Sequence, residues 1–387
     1  MKQQIFIFLA LLLMAGCLRE EKIDTSVRVQ ALLPEGYESF DLSQLEMSLY
    51  NKSTGMIYKS RCDKEGIASF DVEYGFYDAA LQYKFSEEGE MNIFNGRADN
   101  IMIVPGGADK RELYTLQIVG AKSSQIVFKE IYYAGTKKTG GTSYYNDKYI
   151  TLYNNSDQTA YLDGLCIGYA FPSPTKASAF INSGIVDRLP IMYAGWTFPG
   201  TGEEHPLLPG EEVVIALQAI DHTTLATESV DLRTADYVFY RSGFTTAPAL
   251  GVTPLDAFWE SNGALKTYVV GFKGESFFIF RIEGMTPAEF ASKPENIMKE
   301  PGKPTGTDYL MIPVEYVLDG VECVTSATDA FKRFPTSIDA GFTYVDGGGC
   351  FQSVIRKVQE VVDGRTIYED TNNSATDFIV TVPTLKK

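Results

Sequence analysis

The stretch Tyr149–Asn154 reads YITLYN and is followed by Asn155, Ser156 and Asp157. Ile150 and Leu152 fall on one face of an extended chain, Tyr149, Thr151 and Tyr153 on the other, a period-2 alternation rich in β-branched and aromatic residues. The asparagines and Asp157 then supply a turn, and TAYLDGLCIGY resumes a strand pattern from Thr159 to Tyr169. Upstream, QIVFKEIYYAG begins at Gln125 as another apolar strand; downstream, LLPGEEVVIALQAIDH from Leu207 to His222 places a Pro-Gly turn directly before a buried one.

The rest of the chain has the same texture. Tyr (23), Phe (24) and Gly (34) are abundant among 387 residues, and no long Ala/Leu/Glu/Lys run occurs. This composition predicts an all-β protein, and its length suits two domains, each large enough for its own core. From Ile23 to Gly120 short strands alternate with turn clusters at Asn51–Gly55 and Asp63–Gly66. A loop, VPGGADKRE, begins at Val104 and precedes the strand LYTLQIVG, and the domain boundary is placed near Ala121.

Two resemblances refine this picture. CDKEGIASFDVEYGFYDAAL, from Cys62, resembles the transthyretin-like and carboxypeptidase-regulatory-like modules, with Gly66, Phe70, Gly75 and Tyr77 at the characteristic places. Residues 24–120 are therefore expected to form a small β-sandwich, which the resemblance implies is a spacer. Residues 121–387 resemble the lamin-tail domain, an immunoglobulin-like β-sandwich: Glu130 and Ile131 match its opening strand, Tyr149–Asn154 its YIELYN-like strand, Leu162–Gly164 its turn, Pro209–Val213 its PGE-x-V strand. Ser353 and Arg356 match its closing strand, and Thr151 stands where the pattern carries Glu. Long loop insertions are expected at about 170–205 and 230–346. The two-part layout is similar to lipoproteins of gut-type diderm bacteria that carry only a domain-of-unknown-function label. That resemblance implies a fold and a location, and an outer-membrane nutrient or iron transporter, or another surface protein, as partner.

The location is also argued from the first residues, MKQQIFIFLALLLMAGC. Lys2 precedes an apolar run, Ile5–Met14, too short to cross a bilayer, which needs about 20 residues. Ala15 and Gly16 directly before Cys17 resemble a lipobox, with Met14 where Leu is usual. Residues 1–16 are thus expected to be a lipoprotein signal peptide, Cys17 the lipidated residue and membrane contact, and 17–23 a linker. The alternative is an ordinary secretory signal. Arg19, Glu20 and Glu21 resemble an export signal of surface lipoproteins, so the expected location is the outer membrane, lipid-anchored, at the cell surface.

Charge excludes one class of partner. With 34 Lys+Arg against 50 Asp+Glu, the chain lacks the cationic surface that nucleic-acid binding requires. Four cysteines follow Cys17, none in a CxxC pair. Cys323 and Cys350 read either as a disulfide or, with Cys62 and Cys166, as buried small hydrophobes.

Few groups point to chemistry. EDTNNSATDF, Glu369–Phe378, puts Asp370, Asn372 and Ser374 at the first, third and fifth places of a calcium-loop pattern, but Ala375 and Thr381 replace its Gly and its bidentate Glu. It reads better as a turn between the strands RTIY and DFIVTV. Glu203, Glu204 and His205 are adjacent, Asp221 precedes His222, and these are the only two histidines. A mixed carboxylate and histidine site here needs a distant acid. No GxSxG elbow occurs, and DGGG at Asp346–Gly349 and GGT at Gly140–Thr142 read as loop tips. Neither a cofactor nor a catalytic group is expected. Aromatic residues remain: Tyr144, Tyr145, Trp196 and Trp259 are the candidate ligand or partner contacts. The sequence thus favours a non-enzymatic binding or accessory protein. The alternatives are a structural or adhesive surface protein, or a hydrolase using pairs such as Glu203 with Glu204 or Asp256 with Glu260.

Overall fold

The computed structural model describes residues 25–87, 90–104, 113–122, 124–226, 228–326 and 330–385. The signal segment 1–16, Cys17 and the linker 17–23 lie outside the described residues. Among the described residues nearly all regular structure is β, with only short helices. The chain divides into two compact units, Met1–Tyr83 with Gly96–Ile118, and Lys84–Asn95 with Val119–Lys387.

The first unit is built on a sheet of seven strands in the order Ile57–Arg61, Glu46–Asn51, Gly75–Glu87, Glu90–Ile103, Leu113–Lys122, Thr25–Leu32, Ile67–Val72, of which Gly75–Glu87, Glu90–Ile103 and Leu113–Lys122 run past its bounds. The two outermost strands are consecutive in sequence and touch, so the sheet is rolled back on itself. Alternation decides the inside: Val27, Val29, Ala31, Met47, Leu49, Ala68, Phe70 and Val72 are buried, and the residues between them are not. At the Asp63–Gly66 turn, the Asp63 carboxylate accepts the amides of Glu65 (3.0 Å) and Ile67 (2.8 Å). Gly66 has φ +76°, and a Cβ there would meet the Ala31 carbonyl at 2.9 Å, so only glycine fits. Tyr77 donates to the Glu73 carbonyl and accepts from Asn51, whose own oxygen holds the amides of Ser53 and Thr54.

The second unit is built in layers. One seven-stranded sheet runs Thr253–Pro254, Tyr237–Val238, Glu212–Ala216, Tyr149–Asn154, Ile126–Tyr132, Ser353–Arg356, Phe378–Thr381. A six-stranded sheet runs Asp256–Glu260, Ala194–Thr197, Cys166–Ala170, Ser276–Phe280, Val317–Val324, Thr343–Tyr344. Side chains from both, among them Phe128, Ile150, Leu152, Ile167, Trp196, Ile215, Phe277 and Ile279, form the main core. The far face of the six-stranded sheet carries Phe278 and Phe280, covered by the three-stranded sheet Arg188–Ile191, Asp308–Pro313, Ile297–Lys299 and by the helix Pro287–Ser292. Thr286 caps that helix with a reciprocal capping box to Glu289, and Pro287 fills its first position.

Two expectations need correction. Tyr149–Asn154 is buried at all six positions, not on one face. It is an interior strand of its sheet, and a β-hairpin, Val358–Val362 with Arg365–Tyr368, lies over Tyr153. There Tyr153 donates to the Thr366 carbonyl (2.6 Å) and meets Tyr368 edge-on at 4.8 Å. The segments expected as loop insertions are the second correction: they supply Arg188–Ile191, Ala194–Thr197, Ser276–Phe280, Asp308–Pro313 and Val317–Val324. A strand buried on both faces is a continuous apolar run with no alternation to betray it, and Ser276–Phe280, SFFIF, is such a run.

Candidate functional site

The aromatic candidates separate by burial. Trp196 lies in the strand Ala194–Thr197 at 0% exposure, edge-on to Phe239 at 5.5 Å. Tyr144 is buried as well, its hydroxyl 2.7 Å from His222 Nδ1, while His222 Nε2 lies 2.9 Å from the Gln218 carbonyl. Both are core residues, which corrects their assignment as surface contacts. Trp259 is half-buried against the outer apolar layer. Tyr145 is 52% exposed and packs on Phe272 with ring centroids 3.7 Å apart and planes tilted by 38°, with the ammonium of the buried Lys148 near both rings.

Of the two readings of the cysteines, the structure has the unpaired one: Cys323 and Cys350 are free thiols, as are Cys62 and Cys166. Cys323 is buried in the main core, which holds its thiol well above the ordinary range, and Cys350 Sγ lies 3.4 Å from Gln352 Oε1.

EDTNNSATDF is no hairpin turn. It crosses from the strand Arg365–Tyr368, paired with Val358–Val362, to Phe378–Thr381, paired with Ser353–Arg356. Its acids surround a cation belonging to the chain. Arg356 reaches Asp319 at 2.8 Å, Asp370 at 3.1 Å and Asp377 at 3.3 Å, all buried. Asn372 donates to the Ser337 carbonyl, and the Ser374 amide donates to Asp339. Asp370, Asn372 and Ser374 therefore have separate structural partners.

Of the acid pairs, Glu260 is engaged by Arg241 and by Lys266 (3.6 Å). Asp221 caps a 3-10 turn through the Thr223 amide and reaches Arg233 at 3.3 Å. Asp346 of DGGG accepts from Gln352 at 2.7 Å.

A second group assembles where the sequence offered only half of it. The short strand Pro206–Leu207 pairs with Ala160–Tyr161, which brings the turn at Leu162–Gly164 beside the loop 199–205. Asp163 is thereby placed against Glu204 and His205. Its Oδ1 accepts the Glu204 amide (3.2 Å), its Oδ2 the His205 amide (2.9 Å), and His205 Nδ1 lies 3.1 Å from Oδ1. Burial pushes the Asp163 carboxyl up, but the hydrogen bonds from the His205 amide and ring, its own amide and the Glu204 amide outweigh it and hold the group below its ordinary range. Glu204 is fixed in turn by the Thr201 amide at 3.0 Å. One ligand atom from each of Asp163, Glu204 and His205 lies within 4.8 Å of the others.

His205 is also a wall of an open cleft of about 550 Å³. Leu162, Pro206, Val213, Tyr237 and Val252 give it apolar surface, and Arg233, Asp236 and His205 give it polar groups of both signs. The edge strand Thr253–Pro254 and its parallel neighbour Tyr237–Val238 carry one side. Asp163 is the residue that sequence reading missed; its only signal was an acid directly before the turn glycine Gly164.

Residues 208–384 match the model of a family described as a protein of unknown function (DUF4876). The match begins at Leu208, so it takes in Arg233, Tyr237 and Val252 but not Asp163, Glu204 or His205. No curated protein matches the chain. Among solved structures, the chain is similar to the crystal structure of a DUF4876 family protein from Bacteroides thetaiotaomicron VPI-5482 at 2.50 Å resolution, with TM-score 0.61 and 24% identity over 92% of this chain and 94% of that one. That likeness establishes a shared fold.

Proposed function

We propose that the protein is a non-enzymatic binding protein, held on the outer membrane at the cell surface by acyl chains on Cys17, and that its second unit takes a ligand in the cleft beside His205. The cleft carries this reading. Its volume, about 550 Å³, falls in the range of small-molecule sites, and it combines apolar walls with a few fixed polar groups. Strands rather than free loops position Val213, Tyr237 and Thr253, which favours a preformed site. The lamin-tail-like, immunoglobulin-like assignment draws support from the adjacency of Ile126–Tyr132, Tyr149–Asn154 and Glu212–Ala216 in one sheet. Attachment draws on the apolar run before Ala15, Gly16 and Cys17; a lipid chain contributes about 0.8 kcal/mol per buried CH₂. A transporter as partner rests on the family resemblance alone.

Thermal-shift screening of sugars, short peptides and nucleosides against the full chain tests the binding reading, with Thr234→Trp as the occluding variant. Thr234 is exposed on the cleft, so the indole fills it without entering the core. A compound that stabilises the wild-type chain and not the variant supports the reading; equal shifts in both overturn it. Incorporation of labelled palmitate into the wild-type chain but not Cys17→Ala tests the anchor separately.

A further inference from the structure

We propose that Asp163, Glu204 and His205 bind a divalent transition-metal ion at the cleft wall. This deepens the binding reading and rests on the same cleft, but its test reads metal alone, so either can fail without the other.

The donor geometry is the first argument. Two ligands about 2.0–2.2 Å from a zinc-like ion, at tetrahedral or octahedral angles, lie about 2.8–3.6 Å apart. His205 Nδ1 and Asp163 Oδ1 are 3.1 Å apart, and the third ligand atom, from Glu204, is within 4.8 Å. Convergence of charge is the second. A Cβ on Gly200 would sit 1.8 Å from Asp163 Oδ1 and 2.7 Å from Glu204 Oε2, so both oxygens pack against this glycine, and any side chain there would push them apart. Among the described residues, no lysine or arginine pairs with either carboxylate. The nearby Arg281 donates instead to the main-chain carbonyls of Asp163 (2.7 Å) and Tyr161. Two anions thus converge with no cationic side chain between them, unlike the acids around Arg356.

The donor set selects the class of ion. One imidazole nitrogen with two carboxylates suits zinc, cobalt or manganese better than calcium, which takes six to eight oxygens. Asp163 is oriented by the His205 and Glu204 amides, and Glu204 by Thr201, the outer support that metal ligands require. Three protein ligands leave coordination positions open, and one of the three, His205, belongs to the cleft lining.

The test is titration of the tag-free, metal-stripped full chain with Zn²⁺ and with Co²⁺, followed by calorimetry and by cobalt d–d absorption. One equivalent is expected, with affinity reduced about tenfold or more by Glu204→Gln and by His205→Ala, and unchanged by Glu203→Gln. Glu204 is exposed, so its variant should keep the wild-type melting temperature. Absence of saturable binding to the wild-type chain, or binding that both variants retain, overturns the proposal.

Discussion

Arg356 and Asp319 meet at 2.8 Å with their side chains only 2% and 4% exposed, and they join the two main sheets of the second unit. Arg356 comes from the strand Ser353–Arg356, Asp319 from Val317–Val324, and Asp370 and Asp377 share the guanidinium from the crossing segment. Removing the arginine leaves three buried carboxylates without their cation. Arg356→Met should therefore destabilise the second unit by about 3–5 kcal/mol, measured by urea unfolding. Asp319→Asn in that background should cost less than in the wild-type chain, because the two side chains act together.

Trp196 and Tyr145, alike as surface candidates in the sequence, should behave in opposite ways. Trp196→Ala empties a fully buried core position and should cost about 3–5 kcal/mol, whereas Tyr145→Ala, on the surface, should change stability by about 0.5 kcal/mol or less. Paired melting curves read both.

Glu275 gives a pH dependence. It is buried, and burial pushes its carboxyl up to about 7 against the Gly271 amide and the charge of Lys148. The folded chain then holds a proton that the unfolded chain has lost, so this contribution is present at low pH and disappears as pH rises from about 4.5 to about 7. Asp147, raised to about 6, acts in the same direction over a lower range. Lys148, lowered to about 7, acts in the opposite direction and above that pH. Between pH 6 and 7 the fall in unfolding free energy should flatten in Glu275→Gln by up to about 1.4 kcal/mol per pH unit. An unchanged slope would remove Glu275 from the account.

Elements with local signals were legible in the sequence. The turn at Asp63–Gly66, the Thr286 cap and the Pro209–Gly210 turn before Glu212–Ala216 each depend on residues within a few positions. What depends on distant partners was not legible. Asp163 reaches His205 across 42 residues. Arg356 gathers Asp319 from 37 residues away, and nothing local announces that the acids of EDTNNSATDF neutralise it. The second sheet was hidden because SFFIF divides its aromatic residues between two cores, with Phe277 and Ile279 on one side and Phe278 and Phe280 on the other. Trp196, too, looks the same in a sequence whether it fills a core or tips a loop.

The central claim is that the cleft beside His205 is a binding site. Native mass spectrometry of the full chain, extracted in mild detergent from the cells that make it, tests this most directly when run beside Thr234→Trp. The account predicts a discrete bound mass on the wild-type protein that is absent from the variant. The same bound species on both proteins, or none on either, would contradict it.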